Sequence, residues 1–188
     1  MISAGVQGMD LPALMAGAAR RIVWHAAIYS PFAASAPHVE AVRTFLGRSE
    51  TKGLHVISLP RRPEAWCGDF FTVLRGKGMH GAVLEELGKS WRFLDQLAGE
   101  FPDRVRLHEL HGQPCSPVLL VDDHILYGHY AVSEVPAGEG LWTRLEADVE
   151  RLLGWHLKGV PEGAAAWERA CFRLVSDCAN AMDNGVVK

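Results

Sequence analysis

Cys115-Ser-Pro-Val-Leu-Leu-Val-Asp-Asp-His-Ile-Leu-Tyr-Gly-His-Tyr-Ala131 contains two short apolar runs, over 117–121 and 124–127, with Asp122 and Asp123 between them. Apolar, partly β-branched runs of this length, broken by turn-forming residues, predict two strands joined by a tight turn. Asp suits the junction because its carboxylate accepts local backbone N–H bonds.

The surrounding chain predicts what such a hairpin belongs to. Upstream, 11–20 reads as a helix with Asp10 as its cap and Pro12 in its first turn. The run 21–29 is continuously apolar, as in a strand covered on both faces. Val39, Val42, Phe45 and Leu46 lie at helical spacing over 37–48, and 54–59 reads as a second strand. Helix, strand, helix, strand is the β-α-β order of an α/β fold with parallel strands. The stretch 61–78, with its prolines and glycines, predicts a surface loop, 81–99 a helix, and 105–110 a half-exposed strand. Beyond the hairpin, 136–140 reads as a loop, and 141–157 and 161–182 as two helices. The chain is thus expected to form one domain, with a core over about 10–157 and a helical extension over 158–188.

Of the 188 residues, 48% are hydrophobic and 22% charged, enough for a packed core and unlike a disordered chain. A net charge of −3 provides no overall field for nucleic acid or an anionic membrane. No apolar run approaches the roughly 20 residues of a membrane span, so no membrane association is expected. Cys67, Cys115, Cys171 and Cys178 form no C-x-x-C pair and no zinc-type cluster, as expected of half-buried thiols in a cytoplasmic protein.

The hairpin resembles the phospholipase D superfamily, whose pattern is H-x-K-x4-D across a strand, a turn and a strand, with a Gly-Ser-x-Asn-like end. Asp122 matches the Asp of that pattern and Gly128 its Gly, and the order of elements fits over about 10–155. The resemblance implies a phospholipase D-like mixed β-sheet flanked by helices, with C-terminal helices added. Cys115 stands where the family has its nucleophilic His, and Pro117 where it has its phosphate-binding Lys. His129 and Tyr130 stand where small hydroxyl and Asn-type residues usually lie. The family chemistry needs an activated nucleophile and a fixed cation, and Pro supplies neither. A thiol in an apolar strand has its pKa raised rather than lowered. The expected function is therefore a non-catalytic binding or regulatory protein with a remodelled cleft.

The candidate cleft residues are His25, Tyr29, Cys115, Asp122 and His129. His25 lies in the first long strand. Tyr29 ends it, where α/β sheets place ligands. Asp122 reads either as a turn residue or as a residual pocket carboxylate. Strand alternation sends His129 and Tyr130 to opposite faces, and His129 is expected to face the pocket. His108 and His111 flank the preceding strand, but no spacing matches a metal-ligand motif, and no cofactor is expected. Arg61, Arg62, Arg75 and Lys77, interleaved with Trp66, Phe70 and Phe71, read as a solvated loop with an aromatic anchor. Such a loop is also able to grip a nucleic-acid backbone, the weaker alternative. Gly76, Gly78 and Gly81 form no phosphate loop. Leu145, Val149, Leu152, Leu153 and His156 form a packing stripe for the core or a second subunit. The implied partners are a second copy of the chain, since single-motif family members complete one site as homodimers, and a small phosphate-bearing ligand or a protein. The alternative functions are a phosphodiesterase or nuclease with a rearranged histidine site, using His129 or His111, and a structural protein acting as a dimer.

Overall fold

The computed structural model describes residues 1–48 and 53–184. The expected parallel β-α-β order is present. β2 (Arg21–His25) pairs in parallel with β3 (Gly53–Ser58), and β3 with β4 (Val105–Glu109). The hairpin extends this sheet on the other side of β2. β5 (Val118–Val121) runs antiparallel to β2, and β6 (His124–Tyr127) antiparallel to β5. β7 (Leu141–Glu146) and β1 (Ile2–Ala4) complete a seven-stranded mixed sheet of order β1-β7-β6-β5-β2-β3-β4. The expected α/β class, a mixed sheet flanked by helices that include C-terminal ones, is thus observed.

Register sorts the side chains. Trp24, Val56, Leu119 and Leu126 share one face, because directly paired residues point the same way. The connections between the parallel strands lie on that face. They are α2 (Ser30–Ala33), α3 (Ala36–Arg48), α4 (Cys67–Arg75) and α5 (His80–Glu100), and α1 (Leu11–Gly17), which precedes β2, packs on α3. Phe32 of α2 packs on Trp24 with ring centroids 5.3 Å apart, and Trp91 of α5 donates its indole N–H to the carbonyl of Leu59. Val23 and His55 point the other way, under α6 (Val149–Lys158) and α7 (Ala166–Asn184). Phe45 and Phe70 are fully buried, each contributing about 1.5–3 kcal/mol relative to exposure.

Strand β1 is not among the expected elements, Asp10 makes no side-chain cap bond to α1, and three further elements differ from expectation. The first long strand stops at His25 rather than Tyr29. The Tyr29 side chain folds back so that its hydroxyl accepts the Ala26 N–H at 2.9 Å and lies 2.7 Å from the Ile57 carbonyl, which ends the ladder. The stretch expected to be a loop holds α4, because Cys67, Phe70, Phe71 and Leu74 form a buried face at i, i+3, i+4 and i+7. The aromatic anchor is real, but it is helical. Finally, 141–146 is strand β7 and the helix starts only at Val149, where the Asp148 carboxylate accepts the Arg151 N–H at 2.9 Å. The end of the expected extension, 185–188, lies outside the described residues.

Asp122 joins the two halves of the sheet. Its carboxylate accepts three backbone N–H groups at the start of β2, from Ala19 at 2.6 Å, Arg20 at 2.7 Å and Arg21 at 3.0 Å. Its own N–H donates to the Arg21 carbonyl. Burial alone would raise the Asp122 pKa, but these bonds outweigh it and hold the group below its ordinary value. The backbone there is left-handed, with φ 49°, a conformation Asp and Asn tolerate better than most residues. Asp122→Ala removes all three bonds and strains the turn, so urea denaturation is expected to show a loss of about 2–4 kcal/mol. Asp122→Asn keeps one acceptor oxygen and should fall between. A change within about 0.5 kcal/mol for the alanine variant, the range of ordinary surface substitutions, contradicts this role.

Candidate functional site

The cleft lies where β2 ends and the chain turns into α2, and it encloses about 570 Å³. Ser90, on the buried face of α5, secures one wall from behind. Its hydroxyl accepts the N–H groups of Tyr29 at 2.8 Å and Ser30 at 3.0 Å and donates to the Glu86 carbonyl. This ties the loop after β2 to α5 and brings Glu86 and Lys89 to the cleft. The floor comes from Pro117 and Leu119, two residues apart and so on one face of the extended chain. Tyr130 closes the far side. Its hydroxyl accepts the Ala27 N–H at 3.0 Å, and its ring meets Phe70 edge-on at 5.1 Å. Trp142 of β7 lies against Gly128, where a Cβ would come within 2.9 Å of the indole, so only glycine lets the strands approach there. The indole N–H is held by the Ala137 carbonyl at 2.9 Å.

The cleft is therefore apolar and aromatic, with Phe32, Pro117, Leu119, Tyr130 and Trp142, and carries four charged side chains, Arg75, Glu86, Lys89 and Glu139. Arg75 is braced rather than free. Its Nη2 and Nε meet the Glu86 carboxylate at 2.5 and 3.2 Å, and its Nη1 donates to the Leu74 carbonyl. Burial raises the Tyr130 pKa strongly, so its hydroxyl stays protonated.

The structure disperses the five residues expected in the cleft. His25 alternates with Trp24 and points to the opposite face of the sheet, where it is 2% exposed. Tyr29 is buried in the core as a cap on the strand ends, and burial raises its pKa well above the ordinary value. Cys115 is exposed and lines no part of the cleft. Asp122 follows β5 where Pro117 precedes it, roughly 15 Å away along an extended strand. All its described bonds run to the start of β2. His129 is exposed beside a neighbouring hollow of about 260 Å³ that shares Tyr130, Pro136 and Ala137 with the cleft. Tyr130, not His129, lines the larger cleft. His111 is exposed, 4.0 Å from Glu64. Among the described residues, no group of three or more His, Cys, Asp or Glu is placed to hold a metal ion.

Sequence reading missed Glu86, Lys89, Glu139 and Trp142 as cleft residues, and placed Arg75 in a loop. Two signals were available. The i, i+3, i+4, i+7 face from Cys67 to Leu74 makes Arg75 the end of a helix. Ser90 interrupts the apolar face of Leu87, Trp91 and Leu94, marking where that helix bonds something polar.

No protein-family model matches the chain, and no curated protein matches it in sequence. Solved structures do match. One is a phosphatidylserine synthase from Haemophilus influenzae Rd KW20, a phospholipase D-like fold, with 13% identity and a TM-score of 0.59. The match covers the whole of this chain and 39% of that one. Another is TrmBL2, an archaeal chromatin protein described as showing a novel mode of DNA binding, with 9% identity and a TM-score of 0.48, over 100% of this chain and 52% of that one. The chain thus spans about two-fifths to half the length of these structures. The synthase match shows a shared fold.

The opposite face holds a histidine cluster. His55 Nδ1 lies 3.2 Å from His108 Nε2, with the rings stacked at 5.4 Å. Burial, then His108, Arg106 and Arg21, lower the His55 pKa to about 4. Burial lowers His25 to about 4 as well, against a bond to the Ser116 backbone that raises it. The unfolded chain therefore binds these protons first as pH falls. Their contribution is complete above the ordinary value of 6.5 and is lost as the pH drops toward 4. Differential scanning calorimetry should show a falling melting temperature across that window. His55→Gln should remove about 1–2 kcal/mol of the pH dependence. An unchanged pH profile in the variant contradicts the assignment.

Proposed function

We propose that this chain is a non-catalytic, phospholipase D-like binding or regulatory protein whose cleft takes a small ligand. One observation carries the reading. The floor of the cleft is Pro117 and Leu119, and its walls bring aromatic rings and paired charges but, among the described residues, no histidine or thiol. A phosphoryl-transfer site needs a nucleophile and a cation on the developing charge. Here, among the described residues, no nucleophilic side chain of that kind lines the cleft, and of its two cations the part-buried Arg75 is neutralised by Glu86, while Lys89 sits at the exposed rim beside Glu85. A concave, mostly apolar pocket with a few convergent polar groups is the usual form of a small-molecule site.

Hydrolysis of bis-p-nitrophenyl phosphate and of single-stranded DNA is expected to stay at the rate of buffer alone. A small-fragment library screened by NMR should shift the indole N–H of Trp142, identified by its loss in Trp142→Phe. Hydrolysis that His129→Ala abolishes would replace this reading with the second one, a phosphodiesterase using the exposed His129 beside the neighbouring hollow.

The homodimer implied by the resemblance belongs to the same proposal. Ile2, on the edge strand β1, and Leu141, on its neighbour β7, are 72% and 65% exposed, an apolar patch at this end of the sheet that a second copy would cover. Sedimentation should give twice the chain mass, and Ile2→Asp with Leu141→Asp should give the monomer. A monomeric intact chain removes this part.

A further inference from the structure

With Arg75 and Glu86 satisfying each other, two charged groups of the cleft remain available. Lys89 reaches it from α5. Its ion pair with Glu85, at 2.7 Å, lies on open surface with side chains 53% and 69% exposed, where such a pair is worth little. Glu139 reaches it from a separate wall, the short 3-10 turn over Ala137–Glu139, and has no ion-pair partner among the described residues. The lining also includes Phe32, Tyr130 and Trp142. One available cation, one available carboxylate and an aromatic surface thus line one open cleft.

Resting on the small-ligand reading above, we propose that this cleft binds a small zwitterion of the amino-acid type with an aromatic or apolar side group. Its carboxylate meets Lys89, its ammonium meets Glu139, and its side group lies on Tyr130, Trp142 and Phe32. The charge count favours this class over the alternatives. Arg75 and Lys89 cancel Glu86 and Glu139, so a phosphate monoester would bring net charge to a cleft that has none to spare and would face two carboxylates. A purely apolar ligand would make no use of the charges of Lys89 and Glu139. A zwitterion satisfies both groups and leaves the cleft neutral.

Three indole probes test this by titration calorimetry: tryptophan, tryptamine, which lacks the carboxylate, and indole-3-propionate, which lacks the ammonium. Tryptophan is expected to bind about tenfold tighter than either truncated probe, since each charge-assisted contact is worth about that factor. Lys89→Gln should weaken tryptophan and indole-3-propionate and leave tryptamine unchanged. Glu139→Gln should weaken tryptophan and tryptamine and leave indole-3-propionate unchanged. Both side chains are surface-accessible, and an unchanged melting temperature confirms that each variant folds. Either truncated probe matching tryptophan, or wild-type tryptophan affinity in both variants, overturns the proposal. If none of the three binds while the fragment library still shifts Trp142, the zwitterion class falls and the cleft reading stands. Silence in both experiments removes both.

Discussion

The sheet depends on how Asp122 grips the start of β2. A parallel β2-β3-β4 unit presents one unpaired edge at β2, and the hairpin covers it by running β5 antiparallel along it. Four residue pairs set this register, and the chain that returns from β5 has to turn at the point where β2 begins. By accepting three successive N–H groups, the Asp122 carboxylate fixes where both events occur. A slip of one residue would send Leu119 to the face opposite Trp24 and take Pro117 and Leu119 out of the cleft floor. Because β6 and β7 build outward from β5, the position of Trp142 in the cleft follows from this one turn.

The central fold was legible because its signals were strong and local. The β-α-β alternation, the two hairpin strands and the long helix ending near Glu100 follow from hydrophobic period and from turn residues, and the structure contains all of them. The elements that were misread have weaker or competing signals. β7 carries the mixed pattern Leu-Trp-Thr-Arg-Leu-Glu, which suits a helix as well as a strand. Only its pairing with β6 and β1 decides it. β1 is three residues long and exists through that same pairing. In α4, prolines before and glycines after concealed a helical face that buried aromatics make plain.

The site was less legible, because a motif states which residues neighbour one another along a strand, not where the strand's two ends lead. Pro117 and Asp122 belong to one sequence pattern, yet one floors the cleft and the other sits at the far end of the sheet. His25 was misplaced by a simpler effect. In a strand buried on both faces, apolar content does not reveal which residues face which side. Trp24 and His25 are both almost fully buried, and only the stacking of Trp24 on Tyr29 and Phe32 distinguishes the cleft-side face. The charged walls come from helices distant in sequence, joined to the strand end by Ser90, a contact with no sequence pattern of its own.

Gly128 and Trp142 divide a single allotment of volume. The indole occupies the space a side chain at 128 would need, with 2.9 Å left for a Cβ. Any larger residue at 128 therefore demands a smaller one at 142, and that exchange would move bulk from the wall of the cleft into the strand beneath it. The pair acts as a gauge of cleft width, set between two adjacent strands. Chains of this fold that accept ligands of different girth would be expected to differ at both positions together, not at either alone.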